Sequence, residues 1–458
     1  MNPSLPADSS ALSPTAPAPS YLDVIRAEAR NPERLEQVYQ TARKERKAGQ
    51  FATDMAVCHT EAPENVLYAA WYYRLRAEAD EHAGRLAANW RLAVPLSVAL
   101  GLAFWLLSDP HWMLAGNIPL LALLWMPLTA LALIWFLAVS ARQHYVWPAG
   151  ASIGVVAVTA YVLAIASARL ALAQQYLTLM VAHVPLLAAV AIGLCVLGWA
   201  SSATNRFAFL SKSIETIGTA GVFSIAGGIF ATLTYGMFQA LNVEIPEPLV
   251  RLLLIGGAGL IPVLAVTSVY DPALSPEAQE FRRGFGKILA ILMQVLVPLT
   301  LLVLVIYICV IPFNFAQPFN SRNVLIIYNV LLFAIMGLLV GATPMSLDDY
   351  SPRYARLLRI GIIAVAALVL LVSLYALAAI LYRTALDGLT MNRLTVIGWN
   401  TINIALLALL LFRQARVGPA GRGDWVAAIH RVARTGTALY VVWALLLTLG
   451  LPWLFLSK

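Results

Sequence analysis

Residues 286–312 read GKILAILMQVLVPLTLLVLVIYICVIP, and after Lys287 no charged side chain interrupts them. A helix needs about 20 apolar residues to cross roughly 30 Å of hydrocarbon, so this stretch is long enough to span a membrane. Lipid offers the backbone no water to bond, and a single run of this kind satisfies its own peptide groups only as an α-helix. The same reading repeats along the chain. It gives spans at 91–107, 117–139, 147–168, 176–199, 213–241, 247–269, 286–312, 322–342, 354–381, 393–414 and 436–456. The expected fold is an all-α integral membrane protein, a polytopic bundle of about 11 transmembrane helices over 91–458. A small N-terminal cytoplasmic helical domain at 21–90 and a disordered tail at 1–20 precede it.

Composition agrees. Of 458 residues, 60% are hydrophobic and 12% charged, against about a quarter charged in soluble domains. The net charge of +8 does not imply a nucleic-acid partner. The basic residues gather in the N-terminal domain and at helix ends, where they orient the chain and meet anionic headgroups. Cys58, Cys195 and Cys309 are too far apart in sequence for a zinc site or a disulfide framework. The first twenty residues lack Lys, Arg and an apolar core, so they are not a signal peptide.

Orientation follows from Lys and Arg, which stay on the cytoplasmic side. With the N-terminus inside, the inner loops hold Arg142, Arg206, Lys212, Arg282, Arg283, Lys287, Arg353, Arg356, Arg359, Arg413, Arg416, Arg422, Arg431 and Arg434. The outer side holds only Arg169, Arg251, Arg322, Arg383, Arg393 and Lys458. The N-terminus is therefore expected in the cytoplasm and the C-terminus outside.

Within 21–90, helical stripes appear at Leu35, Val38, Tyr39 and Ala42, at Phe51, Met55 and Cys58, and at Leu67, Trp71, Leu75, Leu86 and Trp90, the last leading into the first span. Pro32, Gly49 and Pro63 punctuate them. Such a helical hairpin is either a structural cap or a module for a protein partner. Basic residues Arg43, Lys44, Arg46 and Lys47 suit a solvated face or anionic lipid. Before the last span, Trp425, Ile429 and Val432 share a face that Arg431 and Arg434 avoid, the pattern of an interfacial amphipathic anchor.

Polar residues inside spans are costly in lipid and so mark candidate sites. Glu215 lies one turn into the fifth span with Lys212 three residues before it, either a protonatable group or an interfacial ion pair. Ala220, Ser224, Gly228, Thr232 and Gly236 recur every four residues and form a ridge for close helix packing. Gly256, Gly257, Gly259 and Pro262 follow in the sixth span, so these two helices either pack closely or break to form a midplane site. In the tenth span Arg393, Asn400 and Asn403 share a face, lining a polar cavity or bonding to another helix. Gln239, Gln294 and Asn329 read as structural. No catalytic residue, metal site or cofactor is indicated. The histidines form no H-x-x-x-H pair, Gly257-Ala258-Gly259 lacks a third glycine, and Asp348-Asp349 reads as a solvated loop pair near Arg353.

Leu386-Asp387-Gly388-Leu389-Thr390-Met391-Asn392-Arg393 is a helix stop and restart, with Gly388 suited to positive φ and Thr390 to an N-cap. On Gly388, Leu389, Thr390 and Arg393 the chain resembles the bacterial membrane family called domain of unknown function 4153, over roughly 281–412. That family often carries Tyr where this chain has Asp387. The resemblance implies a many-spanning bacterial inner-membrane protein. Two functional expectations follow: an envelope scaffold or partner-binding membrane protein, or a transporter or lipid-handling protein using 213–269 and the Asn400/Asn403 face.

Overall fold

The computed structural model describes residues 21–455, apart from 46, 87–88, 116, 143, 169–172, 282–283, 321, 349 and 418–423. The tail at 1–20 and Arg46, Arg169, Arg282, Arg283, Asp349, Arg422 and Lys458 lie outside the described residues, as do the side chains of Lys44, His82 and Arg322. The chain divides into two compact units, one within Met1–Leu86 and one within Ala87–Lys458.

Among its described residues the first unit holds four helices: α1 Leu22–Ala27, α2 Pro32–Lys44, α3 Ala48–Glu61 and α4 Val66–Leu86. Asn31 caps α2 with its side chain, and Pro32 occupies the first turn, where its missing N–H costs nothing. The three expected stripes meet in one core of Leu35, Tyr39, Ala42, Phe51, Met55, Cys58, Trp71 and Leu75, joined by Ile25 and Tyr68. Trp90 does not belong to it and is exposed, and the side chain of Leu86 lies outside the described residues. The hairpin is thus a four-helix unit. Its added helix, α1, is held by the Tyr21 amide donating to Asp54 Oδ2 at 2.6 Å and by the Tyr68 hydroxyl donating to the Ile25 carbonyl at 3.1 Å.

In the second unit, eleven helices among the described residues are long and apolar enough to cross a membrane. They are α5 Trp90–Leu107, α6 Leu120–Ser140, α7 Val146–Ser167, α8 Ala173–Leu197, α9 Ala203–Ala240, α10 Glu247–Val269, α11 Gly284–Val310, α12 Arg322–Ala342, α13 Pro352–Asp387, α14 Met391–Arg416 and α15 Asp424–Phe455. This is an all-α polytopic membrane protein. Three helices overrun the expected spans: α9 has 38 residues, α13 has 36 and α15 has 32. Arg and Lys end an apolar run but are good helix formers, so the helix continues where the hydrophobic pattern stops. At 1.5 Å per residue α9 is about 57 Å long, nearly twice the hydrocarbon thickness.

The near side is defined here as the side on which α5 begins. α5, α6, α7, α8 and α10 pack into one half of the bundle, and α11 to α15 into the other. α9 joins them. Its near-side part, with Phe207, Ala208, Lys212, Glu215 and Thr219 buried, packs on α15, α12 and α11. Beyond Thr219 it lies along α10, and only Ala231 is buried. α8 and α15 complete the join through Tyr176, whose hydroxyl donates to the Thr448 carbonyl at 2.7 Å.

The segment expected as an interfacial anchor is instead the first two turns of α15. Trp425, Ile429 and Val432 are buried in the core of the second half, and Arg431 and Arg434 are exposed. The face was legible, but it meets protein. Gln414 fixes it there by donating to the Trp425 carbonyl at 2.9 Å, and Arg359 donates to the Gln414 and Val417 carbonyls that end α14.

Candidate functional site

Two features stand out within the bundle: a polar cluster at its centre and an open apolar groove on its flank.

The cluster lies in the second half. α14 starts on the far side, and by helical rise Asn400 and Asn403 lie roughly 13 and 18 Å along it, near the midplane. Both are buried. Asn400 Nδ2 donates to Asn329 Oδ1 on α12 at 3.0 Å, and Asn403 Oδ1 accepts from the Tyr440 hydroxyl on α15. Asn403 Nδ2 has no partner among the described residues. Beside them the Trp399 ring packs edge-on to Phe333 and Tyr440, and its Nε1–H donates to His183 Nε2 at 3.1 Å. The cavity next to Asn400, Tyr328 and Ser373 measures about 10 Å³, room for a single water at most. These amides therefore bond helix to helix, one of the two uses their spacing allowed. Asn329, which read as structural, is a member of the cluster, and His183 and Tyr440 join it without a sequence signal beyond being polar within a span.

Arg393 shares that face of α14 but not the cluster. Its guanidinium donates to Asp387 Oδ2 and to the Gly388 carbonyl, each at 2.6 Å. Gly388 ends α13 at φ +83°, ψ 168°, a conformation open essentially to glycine alone. Thr390 caps α14 through its hydroxyl, which accepts from the Arg393 amide at 3.3 Å. Leu389 is exposed. The motif is an interhelical corner, latched by the Asp387 carboxylate on Arg393.

Glu215 is buried with Lys212, whose Nζ lies 2.8 Å from Oε2. The ammonium also donates to the Glu280 carbonyl at 2.5 Å and faces the Phe281 ring at 4.9 Å. The carboxylate occupies space that Gly286 of α11 leaves, since a Cβ there would stand 2.8 Å from it. This is an ion pair enclosed by protein where the two halves meet, rather than one at a wet interface.

The groove runs between α5, α9 and α10 and has a volume of about 1160 Å³. Its α10 wall extends from Leu249 to Ser268, about 28 Å of helix. Phe230 and Leu254 on its walls are 64% and 50% exposed, so it opens sideways. Ser224 and Gly228 of the small-residue ridge line it. Ser224, Gly228, Thr232 and Gly236 are exposed and Ala220 is half-buried, and a Cβ at Gly228 or Gly236 would meet nothing within 4 Å. Among the described residues, no helix lies on that ridge. The close approach occurs one helix away: a Cβ at Gly259 would lie 2.8 Å from the Gly101 Cα, so α10 and α5 touch backbone to backbone. α10 is not broken there but carries a π-helical turn at Leu252–Gly256, whose glycine carbonyl faces Gly101.

No family model matches this chain, and neither a curated protein nor a solved structure does.

Proposed function

We propose that this is a lipid-handling membrane protein whose groove between α5, α9 and α10 receives the hydrocarbon of a bilayer lipid. The groove is the observation that carries this reading: an apolar, laterally open cleft about as long as the hydrocarbon is thick. At about 1160 Å³ it matches or exceeds the roughly 300–1,000 Å³ of pockets that enclose small ligands. Gly227, Gly228 and Gly257 keep it deep, because any side chain at these positions would enter open space. Passage of a polar solute past Asn400 and Asn403 has less support, since both amides already bind across helices and the adjoining cavity is about 10 Å³.

The setting belongs to the same reading. The excess of Lys and Arg in alternate loops favours a cytoplasmic N-terminus and basic loops beside anionic lipid. The Gly388, Leu389, Thr390 and Arg393 corner favours the domain of unknown function 4153 family and a bacterial inner membrane.

The test is native mass spectrometry of the full-length protein released from mild detergent, beside Gly228→Phe, which fills the cleft. Lipid retained by the wild type and lost by the variant is expected. Equal lipid on both proteins would refute the reading. A second reading, a scaffold that seats a partner's helix, is favoured by the bare ridge of Ser224, Gly228, Thr232 and Gly236. Cross-linking from Thr232→Cys to another protein in native membranes would support it.

A further inference from the structure

We propose that the lipid in this groove carries an anionic phosphate headgroup held by Arg91 at the near side; the inference rests on the lipid-binding reading above. Trp90 opens α5 and lines the groove. Arg91 follows it, is exposed, and pairs with no carboxylate among the described residues. Its direction follows from the helix. At about 100° per residue, Arg91 falls within roughly 20° of Val98 and Leu102, seven and eleven positions on. Both of those side chains line the groove. The Arg91 stem therefore continues the groove wall, about 10 Å beyond Val98, with its guanidinium reaching toward the headgroup layer.

The chemistry at this end suits a phosphate. A guanidinium binds phosphate oxygens in a two-pronged, charge-assisted contact, and the positive end of the α5 dipole adds to it. Pro95 has no N–H to return to the Arg91 carbonyl four residues earlier, so a headgroup hydroxyl finds an acceptor there. Charge at the far end is opposite. Glu244 lines the groove there, and the nearby Arg251 is engaged by Asp109 at 2.9 Å and Glu247 at 3.5 Å. A phosphate is thus favoured at the Trp90 end and repelled at the other.

The experiment reconstitutes the full-length protein in vesicles of equal phosphatidylcholine and phosphatidylglycerol, and counts co-purified lipids by native mass spectrometry. Wild type is expected to enrich phosphatidylglycerol roughly tenfold, the scale of one charged hydrogen-bonded contact. Arg91→Gln should keep a bound lipid but return it to the vesicle ratio, and Arg91→Lys should retain part of the preference. Gel filtration confirms that each variant is folded. Undiminished enrichment in Arg91→Gln, or none in wild type that still binds lipid, would overturn the headgroup assignment and leave the groove reading intact. Undiminished lipid on Gly228→Phe would instead remove the groove reading and this inference with it.

Discussion

Trp399 Nε1–H donates to His183 Nε2 at 3.1 Å, joining residues 216 positions apart and the two halves of the bundle. An indole can only donate, so Nε2 accepts, and His183 Nδ1–H donates to the Leu179 carbonyl at 2.8 Å. Both ring nitrogens are satisfied inside an apolar core. Trp399→Phe keeps most of the packing but orphans Nε2, and should cost about 1–2 kcal/mol. Unfolding in mixed micelles followed by circular dichroism measures it. A variant as stable as wild type would show that this bond does not hold the halves together.

The Lys212–Glu215 pair predicts a non-additive series. Lys212→Met leaves a carboxylate enclosed without its cation and should cost about 3–5 kcal/mol, while removing both charges should restore much of the loss. Gly286→Ala drives a methyl to within 2.8 Å of the pinned carboxylate, and its cost should shrink when Glu215 is also Ala. Detergent melting curves of the single and double variants decide; additive losses would mean that the three groups act independently.

Two glycines on facing helices should respond oppositely. Gly259→Ala places its methyl 2.8 Å from the Gly101 Cα, where only backbone can yield, and should cost about 1–3 kcal/mol. Gly228→Ala meets nothing within 4 Å and should be neutral or slightly stabilising, because alanine favours helix. Equal effects in a melting assay would contradict this division.

Asp109, in the loop after α5, is held at about 2 against an ordinary value of 3.8. The backbone N–H of His111 contributes most, then the His111 ring, then the Arg251 guanidinium. A depressed carboxyl stabilises the folded state above its ordinary value, and that contribution disappears as pH falls between about 4 and 2. Melting temperature recorded across this window should fall less steeply for Asp109→Asn than for wild type. Parallel curves would show that Asp109 does not couple to folding.

Single cysteines at Asn400 and Asn403, in a background without Cys58, Cys195 and Cys309, should resist a membrane-impermeant thiol reagent from either side. The cavity beside Asn400 is too small to admit it. A cysteine at Ser224 should also resist it, yet react with a lipid-soluble maleimide, since that position is exposed on an apolar groove. Aqueous labelling at Asn400 would reveal a second conformation and favour solute transport.

Much of the candidate site was half legible. Sequence spacing put Asn400 and Asn403 on one face of a helix and Glu215 next to Lys212. It could not supply Asn329, Tyr440 or the Glu280 carbonyl, because those partners lie on other segments. The small residues recurring every four positions on α9 were expected to pack closely against a helix; Ser224, Gly228, Thr232 and Gly236 are exposed instead, because where α10 and α5 come to rest is not written in the spacing. Trp425, Ile429 and Val432 show the same division: the pattern gave a shared face, and the fold gave the protein surface it meets.

Membership of the bilayer, the number of spans and their approximate limits were determined by sequence alone. Transfer of a helix into hydrocarbon is a sum over its own residues, and no neighbour is needed to evaluate it. Which faces are buried, how α9 divides between two half-bundles and where the groove opens were decided only by tertiary structure. In a membrane the lipid-facing and protein-facing sides of a helix are both apolar, so the hydrophobic pattern that identifies a core face in water is nearly silent. Close contacts such as Gly101 with Gly259 and bonds such as Trp399 with His183 then choose among packings that composition leaves equivalent.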